Sequence, residues 1–395
     1  MSEWKECRLG DMCNIRRGSS PRPIQNFLSE TGMPWIKIAD ATATDSPYIS
    51  KTKQCIIPEG IKGSVEVHPG DFIVSNSATP GLPRFVEIDA CIHDGWLLLS
   101  DLIGIDKWFL FYKFYQIRNT LVNQANGSVF QNLKTDIVKD FIIKLPPLAE
   151  QKKIAGILSA LDEKIETNRK INARLEELAQ ALFKSWFIDF EPFGGKMPED
   201  WKNVTLSDIG DIIGGATPSK EHSEYYAKVG NGIAWLTPKD LSETNAKFTA
   251  RGSLDITNLG YQKCSTKLIP CGSILFSSRA PIGYVSIALN EICTNQGFKS
   301  FIPKQVGTAF SYYLLKTLTP EIENKSTGST FKEASGSLMK SLQVFLPDKE
   351  TLSRFEEICT PIFDKQRDCE IESTRLAELR DTLLPKLMSG ELIPE

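Results

Sequence analysis

The side chains that usually do chemistry are scattered in this chain. Nine cysteines, at 7, 13, 55, 91, 264, 271, 293, 359 and 369, form no C-x-x-C pair, and the three histidines (68, 93, 222) stand far apart. That spacing signals neither a zinc site nor a disulfide framework, so the thiols read as reduced and mostly buried. No [DNS]-P-P-[YFW] segment of an amino-methyltransferase is present; the one P-P, in "LPPL" (145–148), reads as a helix lead-in. No G-x-x-x-x-G-K-[ST] phosphate loop exists, and "DIIGGATP" (211–218) lacks both G-x-G-x-x-G and a following helical pattern. Catalysis and cofactor binding by this chain are therefore not expected.

What remains is the chemistry of contact. Arg, Lys, Asn, Gln, Ser and Thr recur among Gly- and Pro-bearing turns, the residue types that position on phosphates and discriminate base edges. The candidates are Arg16, Arg17, Arg22, Asn76, Ser77, Arg84, Gln131 and Lys134 in the first part of the chain, and Lys220, Lys239, Ser278, Arg279, Lys299, Thr330 and Lys332 in the second. Arg279 stands out because "SSRAPIG" (277–283) fixes its loop with Pro and Gly. The blander reading of each is a solvated or fold-supporting side chain. Gly18, Gly81, Gly215 and Gly283 read as turn formers, and Tyr225, Tyr226, Tyr312 and Tyr313 as core or support.

The elements that must hold these loops come in two sets. A length of 395 residues with 41% hydrophobic residues suits two large domains. The first residues, "MSEWKECRLG", are charged from position 3 and do not read as a signal peptide, and the longest apolar run, 96–105, is about half the ~20 residues a membrane span needs. A soluble, cytoplasmic chain is the expectation. The formal charge of −3 is uneven: 0 over 1–147, −1 over 148–195, +3 over 196–346 and −5 over 347–395. That leaves room for a local basic face.

The chain is written twice. "WKECRLGDMCNIRRGSSPRP" (4–23) aligns with "WKNVTLSDIGDIIGGATPSK" (201–220), and "GDFIVSNSATPG" (70–81) with "GSILFSSRAPIG" (272–283). Cys91 and Gly95 meet Cys293 and Gly297, and "NGSVFQNLKTDIVKDFIIKLP" (126–146) meets "TGSTFKEASGSLMKSLQVFLP" (327–347). Each copy predicts about 145 residues of short strands and turns, one helix near its end, then a long helix after a Pro-bearing turn. The first long helix begins after Pro146 and Pro147 and meets no Gly or Pro from 157 to 191, roughly 50 Å at ~1.5 Å per residue. Leu158, Leu161, Ile165, Asn168, Asn172, Leu175, Ala179 and Leu182 alternate spacings of three and four, the seam of a coiled coil. Ile154, Ile157, Ile171, Leu178 and Phe183 widen it. The second helix repeats the stripe with Phe355, Ile358, Ile362, Leu376, Leu379 and Leu383, and Pro361 predicts a bend or break there. Each helix is the other's natural partner, and the two Asn make a polar seam that fixes register.

These residues resemble the specificity subunits of type I restriction-modification systems. The stretch "LPPLAEQKKIAGILSALDEKIETNRKINARLEELAQALFKSWFIDFEPFG" (145–194) is similar to the central conserved region of that family, and "LAELRDTLLPKLMSGEL" (376–392) to its C-terminal counterpart. "GGATPSK", "NQGF" and "GSTFK" are similar to recurring turns of its target recognition domains. The resemblance implies an α+β fold with a pseudo-twofold repeat: recognition domains at 1–147 and 196–346, separated by long antiparallel helices at 148–195 and 347–395. It implies a non-catalytic subunit whose domains each read one half of a split double-stranded DNA target. It also implies two methyltransferase subunits held by the helices, and motor and endonuclease subunits joining them. S-adenosylmethionine, ATP and Mg²⁺ would then belong to those partners and no cofactor to this chain. Copy one departs from the pattern, with "GSSPRP" lacking the Thr-Pro pair and "GSVFQ" replacing "GSTFK", which leaves hydroxyl and lysine roles at those sites unassigned.

The competing reading is a two-domain scaffold or regulator that binds protein partners across the same helical spacer. A direct repeat joined by antiparallel helices also predicts unlike half-sites in inverted orientation. By the same logic, a fragment ending near residue 195 is expected to pair with itself.

Overall fold

The computed structural model describes residues 4–125, 132–244, 246–279, 281–327 and 332–394. The chain divides into two compact units, Met1–Thr167 with Ser373–Glu395, and Asn168–Glu372. Each combines one copy of the globular repeat with part of both long helices.

In the first unit, strands Asn14–Arg17, Trp96–Ser100, Phe72–Ser75, Pro83–Val86 and Tyr48–Ile49 lie side by side in that order. The pairs are antiparallel except the last, which is parallel. A second five-stranded sheet orders Leu28–Ser29, Cys55–Ile56, Met33–Ile36, Ala90–Ile92 and Val65–Val67. Strand Phe72–Ser75 is buried along its whole length, as the apolar run Phe72–Ile73–Val74 requires, with Ser75 Oγ hydrogen-bonded at its end. Helix Lys107–Ala125 covers the first sheet through Phe109, Leu110, Phe111, Tyr112 and Phe114.

The second unit repeats the first sheet strand for strand and the other with one strand fewer: Gly210–Gly214, Lys299–Pro303, Ile274–Phe276, Val285–Ala288 and Phe248–Thr249 form one sheet. Tyr226–Ala227, Leu254–Ile256, Ile233–Leu236 and Cys293–Thr294 form the other. Its covering helix is Thr308–Lys325, with Tyr312 and Tyr313 buried as the sequence suggested.

The first long helix runs Leu148–Phe187, 40 residues. Pro147 starts it, its carbonyl accepting from the N–H groups of Glu150 and Gln151. The buried Gln151 amide ties that end to the globular part, accepting from Asp106 N and donating to the Gly104 and Pro146 carbonyls. Beyond the helix, Phe190, Gly194 and Gly195 adopt left-handed backbone that no helix continues. The second runs Lys349–Ser389, 41 residues, with Asp348 capping it through Thr351 N at 2.9 Å.

Within each unit the helices pair antiparallel. In the first, Ile154 and Leu158 share a core with Leu387 and Met388, while Asp162 meets Arg380. In the second, Asn168 donates to Glu372 at 2.8 Å and Asn172 to the Gln366 carbonyl at 3.2 Å, while the Phe183 and Phe355 rings lie 6.1 Å apart. Numbers rise on one helix as they fall on the other.

The seam differs in detail from the three-four reading. Leu158, Asn168 and Ala179 are buried, and Leu161, Ile165, Asn172, Leu175, Leu182, Ile362, Leu376 and Leu383 half-buried. Leu379 is exposed, as are Ile157, Leu178 and Ile358, while Asp162, Cys359, Phe363, Gln366 and Cys369 turn inward. A 3.6-residue helix drifts about 20° per heptad from a strict 3.5 repeat, so over 40 residues the buried face migrates off a fixed heptad column. Nor does Pro361 split the helix: it sits on the exposed side, and the turns around it are clamped by buried Cys359 and Phe363.

Candidate nucleic-acid interface

Both copies build the same loop tip at one end of the first sheet. In the first, Ser75 Oγ donates to the Thr79 carbonyl and accepts from Leu82 N, closing the 76–81 loop over Gly81, whose φ is 77°. In the second, Ser277 Oγ donates to the Pro281 carbonyl and accepts from Tyr284 N, closing 278–283 over Gly283 with φ 95°. Asn76 N donates to the Gly95 carbonyl and Ser278 N to that of Gly297. Leu133 N and Ala334 N then donate to the Asn76 and Ser278 carbonyls, so the segment after the covering helix docks on the loop. The turn after the edge strand completes the tip. A Cβ on Gly18 would collide with the His93 carbonyl, and one on Gly215 with those of Thr294 and Asn295, so only glycine permits that approach.

The candidate residues sort sharply on this frame. Arg16, Arg17, Arg22, Lys134, Lys220, Lys239, Arg279 and Lys332 are exposed, while Ser77 and Lys299 are half-buried. Arg84 and Ser278 are corrected by the structure. Arg84 is 3% exposed, its guanidinium donating to the carbonyls of Ala41, Thr44 and Pro83 and to Tyr115 Oη. Ser278 is fully buried and donates to the Gly297 carbonyl. Both brace the frame and have no face left for DNA. Asn76 is also buried, its Nδ2 donating to the Asp94 carbonyl. Gln131 and Thr330 lie outside the described residues.

Two acids that a search for cations passes over organise the exposed bases. In the first copy the Asp94 carboxylate accepts from Ser20 Oγ at 2.7 Å and Arg22 Nη2 at 3.3 Å, and its backbone carbonyl accepts from Arg17 Nε at 2.9 Å. Partial burial would raise the Asp94 carboxyl, but the Ser20 hydroxyl, a backbone N–H and then the Arg22 guanidinium hold it below the usual carboxylate range. In the second copy Glu333 pairs with Arg279 at 2.8 Å and with Lys299 at 3.5 Å, and the Arg279 contact leads in keeping its carboxyl low. The signal for Asp94 was the alignment itself: "HDG" (93–95) falls on "NQG" (295–297), and Thr217 reaches Gln296 where Ser20 reaches Asp94. Two such tips present anchored turns and several exposed cations. Among the described residues, no group of three or more His, Cys, Asp or Glu is placed to hold a metal, and no helix is long and apolar enough to cross a membrane.

Comparison with known proteins points the same way. The family model described as the type I restriction modification DNA specificity domain matches twice, over residues 1–177 and 198–380. The specificity subunit of the type I restriction enzyme HindI of Haemophilus influenzae is 27% identical, over 99% of this chain and 100% of that one. The specificity subunit of MjaIX, from Methanocaldococcus jannaschii, is 41% identical over 197 residues, 47% of this chain and 44% of that one. Among solved structures, the crystal structure of the type I restriction-modification S subunit from M. genitalium matches with a TM-score of 0.66 at 17% identity. That match covers 100% of this chain and 97% of the other, and it speaks to the fold.

Proposed function

Because this chain belongs to the type I restriction-modification DNA specificity family, we propose that it selects the DNA sequence on which a methyltransferase, and an ATP-dependent nuclease joined to it, act. The domain at 1–147 reads one half of a bipartite target and the domain at 196–346 reads the other. The helices at 148–195 and 347–395 set the spacing and hold two methyltransferase subunits. The exposed apolar side chains Ile157, Leu178, Ile358 and Leu379 suit such a protein contact. The chain itself supplies no chemistry to DNA; S-adenosylmethionine, ATP and Mg²⁺ act on its partners.

The observation that carries this reading is one frame built twice, with its fixed parts shared and its exposed tips different. Ser75 and Ser277, Gly18 and Gly215, Gly81 and Gly283 do the same work in each copy, whereas Ser77 stands where Arg279 does and Asp94 where Gln296 does. Catalysis would hold those polar positions fixed, while recognition of two unlike half-sites lets them differ. The test is binding of the full chain, with its methyltransferase, to random-sequence DNA at several salt concentrations. Affinity is expected to fall with salt at a log–log slope near −0.9 per phosphate neutralised, and selection to yield a two-part motif. A flat salt response with no selected motif would contradict DNA reading.

A further inference from the structure

The carboxylate of Glu333 sits among cations on a surface that, by the reading above, meets phosphates. There a negative charge costs affinity for every sequence alike, so what it supplies must be discrimination. Its geometry says how. Glu333 Oε2 takes Arg279 Nη2 at 2.8 Å while Oε1 faces Lys299 Nζ at 3.5 Å, and residues 279 and 333 also form a backbone bridge. Glu333 N is fixed to the Thr327 carbonyl, and the next residue, Ala334, to that of Ser278. The acid is thus held from its own main chain and grips the guanidinium from one side. That contact uses one N–H of the five in a rigid planar fork. With one edge gripped, the fork loses rotational freedom and keeps donors for the paired acceptors of a guanine edge, N7 and O6.

We propose that Glu333 is the positioning residue that makes Arg279 a base reader rather than a phosphate contact, and so determines specificity in the second half-site for a G·C pair. The proposal rests on the DNA-reading function above and deepens it. The first copy does the same job from another loop. Asn132 occupies the place of Glu333 there, and the acid is instead Asp94, on the turn that in the second copy carries Gln296, with Arg22 as its guanidinium. Moving the acid between loops of one frame changes which cation is aimed and at which base step, and this makes the half-sites unlike.

The experiment uses the full chain assembled with its methyltransferase, acting on DNA randomised in both halves, with methylated products sequenced. Glu333→Ala is expected to lower discrimination at a guanine-bearing position of one half about five- to a hundredfold. Glu333→Gln, which keeps an acceptor without the charge, should lose less. The other half should be unchanged in both variants, and methylation of unrelated sequences equal or raised. Asp94→Asn is the mirror control and should relax only the opposite half. Equal loss in both halves, or no change in either, would overturn the proposal. So would a marked drop in melting temperature for both Glu333 variants, which would make the residue a fold support. If the wild-type complex itself selects no motif, the DNA reading fails instead, so the two failures are distinct.

Discussion

The two places where the long helices meet the globular parts make an instructive pair. In the first unit, the Tyr112 hydroxyl donates to Asp162 at 2.6 Å, and Asp162, 5% exposed at its side chain, pairs with Arg380 at 2.5 Å. In the second, the buried Lys247 ammonium pairs with Glu176 at 2.7 Å and donates to Gln366 at 2.8 Å, while Lys316 and the Tyr313 hydroxyl also donate to Glu176. Tyr112 and Tyr313 correspond in the repeat. Their charged partners do not, since Asp162 aligns with Phe363, Arg380 with Ala179, and Glu176 with Ala377. Duplication preserved the apolar frame, and the buried polar contacts then became specific to each junction. This argues against self-pairing of a fragment ending near residue 195. Two central helices set head to tail would bring Asp162 and Glu176 into one site with Ala179 where Arg380 belongs, and neither Arg380 nor Lys247 to neutralise them.

The largest effect should come from breaking the sparser junction. Arg380→Ala leaves Asp162 buried with Tyr112 as its remaining side-chain partner among the described residues, and removing one partner of a buried pair costs about 3–5 kcal/mol. Lys247→Met leaves Glu176 with Lys316, Tyr313 and the Gln366 amide, so about 1–3 kcal/mol is expected. Urea unfolding of both variants gives the order, and equal losses would show that the junctions are equivalent.

Acid should separate them next. Burial alone would raise the Glu176 carboxyl, but Lys247 and then Lys316 hold it down to about 2 from an ordinary 4.5. A depressed carboxyl stabilises the fold fully above pH 4.5, and that contribution fades as pH falls toward 2. Burial pushes Lys247 down to about 8 against the pull of Glu176, so its charging penalty is present below pH 8 and fades toward 10.5. Glu176→Gln should flatten the acid limb of stability between pH 4.5 and 2. An unchanged limb would place the acid sensitivity elsewhere.

A smaller effect of opposite sign is expected at the seam. Asn168 donates to the Cys369 carbonyl and to Glu372, and Asn172 donates to the Gln366 carbonyl while burying a side-chain oxygen with no hydrogen-bond partner among the described residues. Replacing both by Leu should raise stability by about 1 kcal/mol while loosening helix register. A large fall in melting temperature would show the polar seam to be net stabilising.

The sequence made the repeat, the long helices and the polar seam legible because periodicity and matched apolar positions survive as patterns. Arg84 shows what it hides: an arginine in a loop reads as a surface cation, yet three carbonyls and a tyrosine hydroxyl let this one be buried. Hydrogen-bond closure of that kind depends on residues 40 positions apart and leaves no local trace. Asp94 and Glu333 are hidden for a different reason: the residue types expected at phosphates and base edges are cations, amides and hydroxyls, and an acid among them carries no local signal. The buried column of the second helix was displaced because small angular drift accumulates over 41 residues.

Substitution of Arg279 by Ala in the complete methyltransferase complex tests most directly whether the two frames read DNA separately. Products of methylation on DNA randomised in both halves should show a wild-type motif of two unlike parts across a fixed gap. The variant should keep one part intact and lose about five- to a hundredfold discrimination in the other. A single contiguous motif, or equal weakening of both parts, would contradict the account.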